Sequence, residues 1–363
     1  MISNPKDKIT TSQTVIILVS YIIAVGILTL PRVTVDEVNT PDVWISVIIG
    51  GLIALFISII IAKLSQQFPE KTFYQYSQEI VGKAVGRFIS CIIILYFLIL
   101  SAFEIRVLAE ITEFYLLERT PFWAIIMPMM WVGIYLISGG INPMARLMEI
   151  IFPVTVVVLL LVLFMSVDVF EINNLRPVLG VGIAPPLKGI KTTALSFTCF
   201  EAMLFLVAFM KQPEKSVKVV LIATIIPLIL YVVTVVMVIG AFSIDGVVTR
   251  TWPTIDLIQS YEFEGMLFER FESLLLAIWV MQIFSTFIIT YYAASLGVAQ
   301  LSNKGLVPVI FGILPVIYLI AMTPKNINDL QTLGDIIGNA ALIIFGIIPI
   351  LFLSINKVKG AKG

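Results

Sequence analysis

The chain has 363 residues, of which 59% are hydrophobic and only 13% charged, and its 23 basic and 23 acidic side chains balance to a formal net charge of zero. A soluble domain carries about 25% charged residues; half that amount cannot cover a water-exposed surface, so the expected solvent is a lipid bilayer. No histidine occurs, and the only cysteines are Cys91 and Cys199, which removes histidine general bases, histidine metal sites and zinc clusters.

Lys6 and Lys8 precede an apolar run that starts near Val15 and superficially resembles a signal peptide. The run ends in "GILTLPR" without a small-x-small cleavage site and further spans follow, so it is expected to be retained. A membrane-crossing helix needs about 20 mostly apolar residues. Ten segments qualify: 14–31, 42–63, 88–117, 121–139, 147–167, 190–210, 216–242, 270–298, 306–322 and 336–355. The connections are short, which predicts an all-α integral membrane protein with one polytopic domain over 1–363. Ten spans divide into five and five, a first repeat over about 10–167 and a second over about 185–355. An odd number per half makes the second enter from the opposite face, the geometry of an inverted repeat. With the N-terminus placed inside, 14 of the 23 Lys and Arg fall on the inner side and 8 on the outer. The excess of positive charge predicts that both termini are cytoplasmic.

In chain order, the first span reads "SYIIAVGILTLPR". Gly26 lacks a Cβ, and Pro31 cannot donate a hydrogen bond to Ile27. Two readings are open: a simple kink, or a break between Ala24 and Leu28 whose freed amides suit a carboxylate. The third span carries Glu104, Arg106, Glu110 and Glu113. At about 100° per residue, Arg106, Glu110 and Glu113 share a face and Glu104 lies nearly opposite. Arg106 and Glu110 are at pairing distance in sequence, a cluster that would shape or lock an outer vestibule. Glu104 calls for a partner on another helix, and helix-to-helix glue is the plainer alternative for the whole set.

The sixth span, "TTALSFTCFEAMLFLVAFM", has no internal Gly or Pro, so no break is legible in it. It does contain Ser196, Thr198 and Cys199, then Glu201, a carboxylate costing about 3 kcal/mol in mid-span and expected to face a cavity or a partner. Cys91 and Cys199 read either as buried small hydrophobes or as a disulfide. The outer connection 243–271 mixes apolar and acidic residues at helical spacing and reads as an interfacial helix, or as a lid over a vestibule. In the eighth span Ser285 and Thr286 are adjacent hydroxyls with Gln282 and Thr290 one turn to either side. No nucleophile–base pair or cofactor motif stands out, so no enzymatic activity, no cofactor and no nucleic-acid partner are expected.

Six motifs in order, "GILTLPR", "FYLLERTP", "INNLRPVL", "FEAMLFL", "WPTIDLIQ" and "FERFES", resemble the B subunit of GerA-type germinant receptors of endospore-forming bacteria, from about residue 10 to residue 355. That family belongs to the amino acid–polyamine–cation transporter superfamily. The resemblance implies a five-plus-five inverted repeat with broken first and sixth helices. It implies a small amino acid, L-alanine-like in size, bound at mid-membrane. Its carboxylate would meet the backbone of Ala24, Val25 and Gly26, and its amino group the carbonyls near Phe197, Thr198 and Cys199. Leu100 and Ser101, with Ser285 and Thr286, would line the pocket. Glu104, Arg106, Glu110 and Glu201, read from their positions in the spans and not from the resemblance, are the candidate intramembrane ionisable or gating groups. The resemblance further implies A and C partner subunits in the spore inner membrane. "AVG" departs from the family's frequent Gly-x-Gly, which narrows the space beside the ligand. Residues 147–167 hold no lysine, so proton coupling through a fifth-helix lysine is not expected. An amino acid permease and a ligand-gated ion or water pathway are the alternatives.

Overall fold

A computed structural model describes residues 7–260 and 271–360. Each of the ten apolar segments is mainly helical over its described residues. The helices, in chain order, are α1 (Thr11–Ile23), α2 (Gly26–Val38), α3 (Val43–Gln66), α4 (Phe73–Val81), α5 (Lys83–Tyr115), α6 (Phe122–Ser138), α7 (Ile141–Met165), α8 (Ala184–Lys188), α9 (Ile190–Ser196), α10 (Met203–Leu206), α11 (Ser216–Val248), α12 (Pro253–Gln259), α13 (Phe271–Ser302), α14 (Leu306–Ala321) and α15 (Ile327–Gly360). Among the described residues six helices are long and apolar enough to cross a bilayer, and the bent pairs α1–α2 and Ile190–Ser196 with Phe200–Phe209 would each make one more. α6 and α14 are shorter apolar helices. The molecule is a multi-pass membrane protein.

Local sequence explains most boundaries. α1 begins at a capping box, in which Gln13 N donates to Thr10 Oγ1 at 3.2 Å and Thr10 N donates to Gln13 Oε1 at 2.9 Å, satisfying amides that a first turn leaves open. α4, not expected from the hydropathy, begins at a second box made by Thr72 and Gln75. α11 outruns the expected 216–242 only by continuing past Ser243, whose φ of 58° marks a sharp kink at the expected end. The expected interfacial helix is the short α12; Glu262, Glu264 and Glu269 of that connection lie outside the described residues, as does the first half of "FERFES".

α13 is the central post, with Phe287, Ile288, Tyr291 and Ala294 buried completely. α1 and α5 pack against it. The side chains that face outward are large and apolar, among them Phe56, Phe88, Tyr135 and Phe164, the pattern expected where lipid is the solvent. At one end of the molecule the segment before α1 pairs with the end of the sixth span. Ile9 and Met210 form a parallel bridge, with Ile9 N donating to Phe209 O at 2.8 Å and Lys211 N to Ile9 O at 2.9 Å. Lys8 Nζ adds a bond to Ala208 O at 3.0 Å.

Candidate functional site

The first span breaks at Ala24 and Val25, at the early edge of the window read from Gly26 and Pro31, and its halves diverge by 43°. Pro31 itself lies inside regular helix α2. An interrupted helix strands carbonyls that would otherwise meet amides one turn on, and hydrocarbon offers them nothing. Here side chains from other elements supply the donors. Gln282 Nε2 donates to Ser20 O at 2.7 Å, Cys199 Sγ to Tyr21 O at 3.3 Å, Trp279 Nε1 to Ala24 O at 2.9 Å and Thr254 Oγ1 to Ile27 O at 2.8 Å. The Tyr231 hydroxyl donates to Ile22 O.

The sixth span is broken as well, by 46°, between Ser196 and Phe200. The cause is a side chain rather than a Gly or Pro. Cys199 adopts φ 140°, a conformation costing a non-glycine residue about 1–3 kcal/mol. Glu201 holds it there: Oε2 accepts from Cys199 N at 2.8 Å, and Oε1 accepts from the hydroxyls of Tyr21 at 2.9 Å and Tyr96 at 3.0 Å. Glu201 is completely buried. The carboxylate thus ties the break in the sixth span to α1 and α5. Cys199 is a free thiol, as is Cys91 on the outside of α5, so the disulfide alternative does not hold.

Tyr231 on α11 joins the two breaks. Its hydroxyl reaches both Ile22 O and, at 3.3 Å, Ser196 O, and its ring lies on Phe197 with centroids 4.9 Å apart. A Cβ on Gly26 would come within 2.1 Å of the Tyr231 oxygen. Gly26 therefore makes room for the tyrosine, and a bulky residue there would displace the staple before it touched a ligand.

The remaining expected residues divide. Arg106 pairs with Glu110 as read, Nη2 to Oε2 at 3.2 Å, and its guanidinium lies 3.8 Å from the centre of the Phe122 ring. Glu113 turns instead to the backbone of Arg119. Ser285 bonds back to Gln282 O at 2.6 Å, whereas Thr286 Oγ1 has no partner among the described residues. Neither Ser101 Oγ nor Glu104 Oε2 has one either, so the helix-to-helix partner expected for that Glu104 oxygen is not found there. Thr198 Oγ1 donates to Leu195 O at 2.7 Å, inside its own turn. Leu100, Val25 and Cys199 keep small residual exposures of 7%, 9% and 8% beside the breaks, where Phe97, Ile27 and Ala202 are closed off completely. Tyr21, Tyr96, Tyr231 and Trp279 were not singled out by sequence, because an aromatic in an apolar run reads as core. Among the described residues no group of three His, Cys, Asp or Glu stands together as metal ligands would.

Outside the spans, α12 docks through Thr254 on Ile27 and through Asp256, which accepts from the Tyr115 hydroxyl at 3.1 Å and lies 3.8 Å from Arg250 Nε. Burial holds the Asp256 carboxyl above the usual aspartate range, partly offset by Tyr115 and Arg250.

Two interrupted spans crossing beside one another are the mark of a transporter-like fold, and solved structures bear that out. The structure of MhsT in complex with L-phenylalanine matches with a TM-score of 0.73 at 10% identity, covering 94% of this chain and 88% of that one. Mhp1, a nucleobase-cation-symport-1 family transporter in a closed conformation with bromovinylhydantoin bound, matches at 0.71 and 13% identity, covering 95% and 80%. The fold is therefore an all-α one like that of MhsT and Mhp1, with several membrane-spanning helices of which some are bent.

Sequence narrows the class further. The family model described as "Spore germination protein" matches residues 8–330, and the chain belongs to that spore germination permease family. Spore germination protein YndE of Bacillus subtilis (strain 168) is 56% identical over 354 residues, 98% of each chain. Spore germination proteins A2 and B2 of the same organism are 37% and 31% identical, covering 97% and 99% of this chain and 96% and 98% of theirs. The family and the fold are of transporter or receptor type, and the protein is not an enzyme.

Proposed function

We propose that this chain is the B-type, nutrient-sensing membrane subunit of a spore germinant receptor, binding a small amino acid at mid-membrane to trigger germination. The observation that carries this reading is the pair of adjoining helix breaks, at Ala24–Val25 and Phe197–Cys199, joined by Tyr231. Two half-helix ends beside one another suit a zwitterion. In this reading the carboxylate meets the start of α2 at Val25 and Gly26, the amino group lies near Phe197 and Thr198, and Leu100, Ser101, Ser285 and Thr286 stand around the ligand. The ten helical segments form a five-plus-five inverted repeat within one polytopic domain, with both ends of the chain cytoplasmic in the spore inner membrane. The relatives named A2 and B2 support assembly with A- and C-type partner subunits. Arg106 and Glu110 lock the outer side, and Glu201 holds the break.

The similarity to MhsT and Mhp1 favours one second reading, an amino acid permease that completes alternating access, since one scaffold hosts both tasks. Spores carrying this receptor as their sole germinant receptor are challenged with single amino acids, and proteoliposomes holding the chain are assayed for labelled uptake. Germination by one or a few small amino acids, with saturable binding and no flux, is the expected outcome. Concentrative uptake by the chain alone would favour the permease. Silence to every amino acid in both assays would overturn the ligand reading.

A further inference from the structure

Tyr96, Leu100 and Glu104 follow at four-residue spacing along α5, so they lie along one side of the helix, drifting by about 40° per step. Tyr96 reaches the break in the sixth span through its hydroxyl on Glu201. Glu104 lies about 12 Å further along the axis and one turn beyond Leu100, and is 6% exposed. Its Oε2 has no hydrogen-bond partner among the described residues, and neither does the hydroxyl of fully buried Ser101 one turn earlier.

The other carboxylates buried to that degree are satisfied. Glu201 accepts three donors, and Asp42 accepts from Leu179 N at 2.8 Å. Arg106, two residues on, is committed to Glu110 and Phe122. A carboxyl group unmatched in a membrane interior is costly, and by default it awaits a partner that arrives. Leu100 on α5, and Cys199 and Val25 at the breaks, keep small residual exposures of their own.

Resting on the proposed ligand site, we infer that Glu104, supported by the Ser101 hydroxyl, is the counter-charge for the ligand's ammonium group. The ligand class is then a short zwitterion with a free primary ammonium. The deaminated acid, with hydrogen in place of the ammonium, offers Glu104 nothing to accept and leaves the carboxyl buried and unpaired, so it is rejected. Carbonyls at the break in the sixth span orient the same ammonium but bring no full charge. The alternative role, a purely structural glutamate, would give no loss of this preference when its charge is removed.

The test uses the full chain in lipid nanodiscs. The probe is whichever of the twenty L-amino acids binds saturably, together with its deaminated acid; for L-alanine the pair is L-alanine and propionate. In the unaltered protein the amino acid binds at least about tenfold more tightly than the acid, the scale of one charge-assisted hydrogen bond. Glu104→Gln weakens the amino acid about tenfold or more, leaves the acid unchanged and so collapses the preference. Glu104→Asp, retaining the charge, keeps the preference with weaker binding, and answers the question if the Gln variant fails to elute as a monodisperse peak. An undiminished preference in Glu104→Gln, or its collapse in Glu104→Asp with the fold intact, overturns the assignment while the ligand site stands. No saturable binding by any of the twenty overturns the ligand site, and the inference falls with it.

Discussion

Placing alanine at Gly26 sets a methyl carbon 2.1 Å from the Tyr231 hydroxyl oxygen, 3.1 Å from the ring carbon that bears it and 3.1 Å from Ser196 O. Contact at the first distance is impossible, so the hydroxyl must leave. The buried Ile22 O and the part-buried Ser196 O then lose the one hydroxyl donor they share. Leaving a buried acceptor unpaired costs about 1–3 kcal/mol, and the forced shift in a packed core costs about 1–3 kcal/mol more. Tyr231→Phe alone removes the same donor but keeps the ring against Phe197, so it costs the first of these without the second. In the Tyr231→Phe background the nearest atoms to the new methyl stand at 3.1 Å, a contact relieved by a few tenths of an ångström. The Gly26→Ala penalty should therefore shrink by about 1–3 kcal/mol when Tyr231 is already Phe, within the range found for residues in contact. Thermal unfolding of the four proteins in nanodiscs, followed by tryptophan fluorescence, reads the coupling as a Tm gap smaller for the double variant than the sum of the singles. Additive Tm losses would mean that Gly26 and Tyr231 do not meet, and the account of the joined breaks would fail.

Glu201→Gln keeps two acceptor bonds from the tyrosines but turns an amide toward Cys199 N; a stability loss of about 1–3 kcal/mol is expected, visible as reduced Tm, with Glu201→Ala worse. Thr254→Val deletes the donor to Ile27 O at nearly constant shape, and hydrogen exchange in residues 253–259 should speed up by roughly 2- to 13-fold, the equivalent of about 0.5–1.5 kcal/mol. Asp256 binds its proton more tightly folded than unfolded, because burial outweighs Tyr115 and Arg250. Its contribution to stability is thus fully present below the ordinary value of 3.8 and is lost as pH rises through the raised folded value. Asp256→Asn should remove that component from the pH profile of Tm, and an unchanged profile would count against it.

The spans were legible because hydropathy is imposed by the lipid, and in the first span Gly26 and Pro31 marked an irregularity that read either as a kink or as a break. The break in the sixth span was not legible. "SFTCFEA" contains no residue that breaks a helix by itself; the chain departs at Cys199 because Glu201 captures its amide and is anchored by hydroxyls 180 and 105 residues away in sequence. Partners so distant leave no periodic trace. α4 is the opposite case: the Thr72–Gln75 box preceding "FYQYSQEIV" is a local helix-start signal, which attention to hydropathy alone passed over. At Glu104 the sequence pointed to a buried charge but not to its lack of a mate, since absence of a contact is a property of the whole surroundings.

The bridge between Ile9 and Met210 bears on how such a scaffold can move. The break at Ala24 separates α1 from α2, so a turn at that point would carry α1 as one arm, with its largest displacement at the far tip. Here that tip is laced, main chain to main chain, onto the foot of the sixth span, with the Lys8 ammonium as an extra stitch. Neither arm can depart without tearing two amide links or dragging its counterpart along. Any tilt begun at one interruption is therefore shared by both arms as a single rigid yoke.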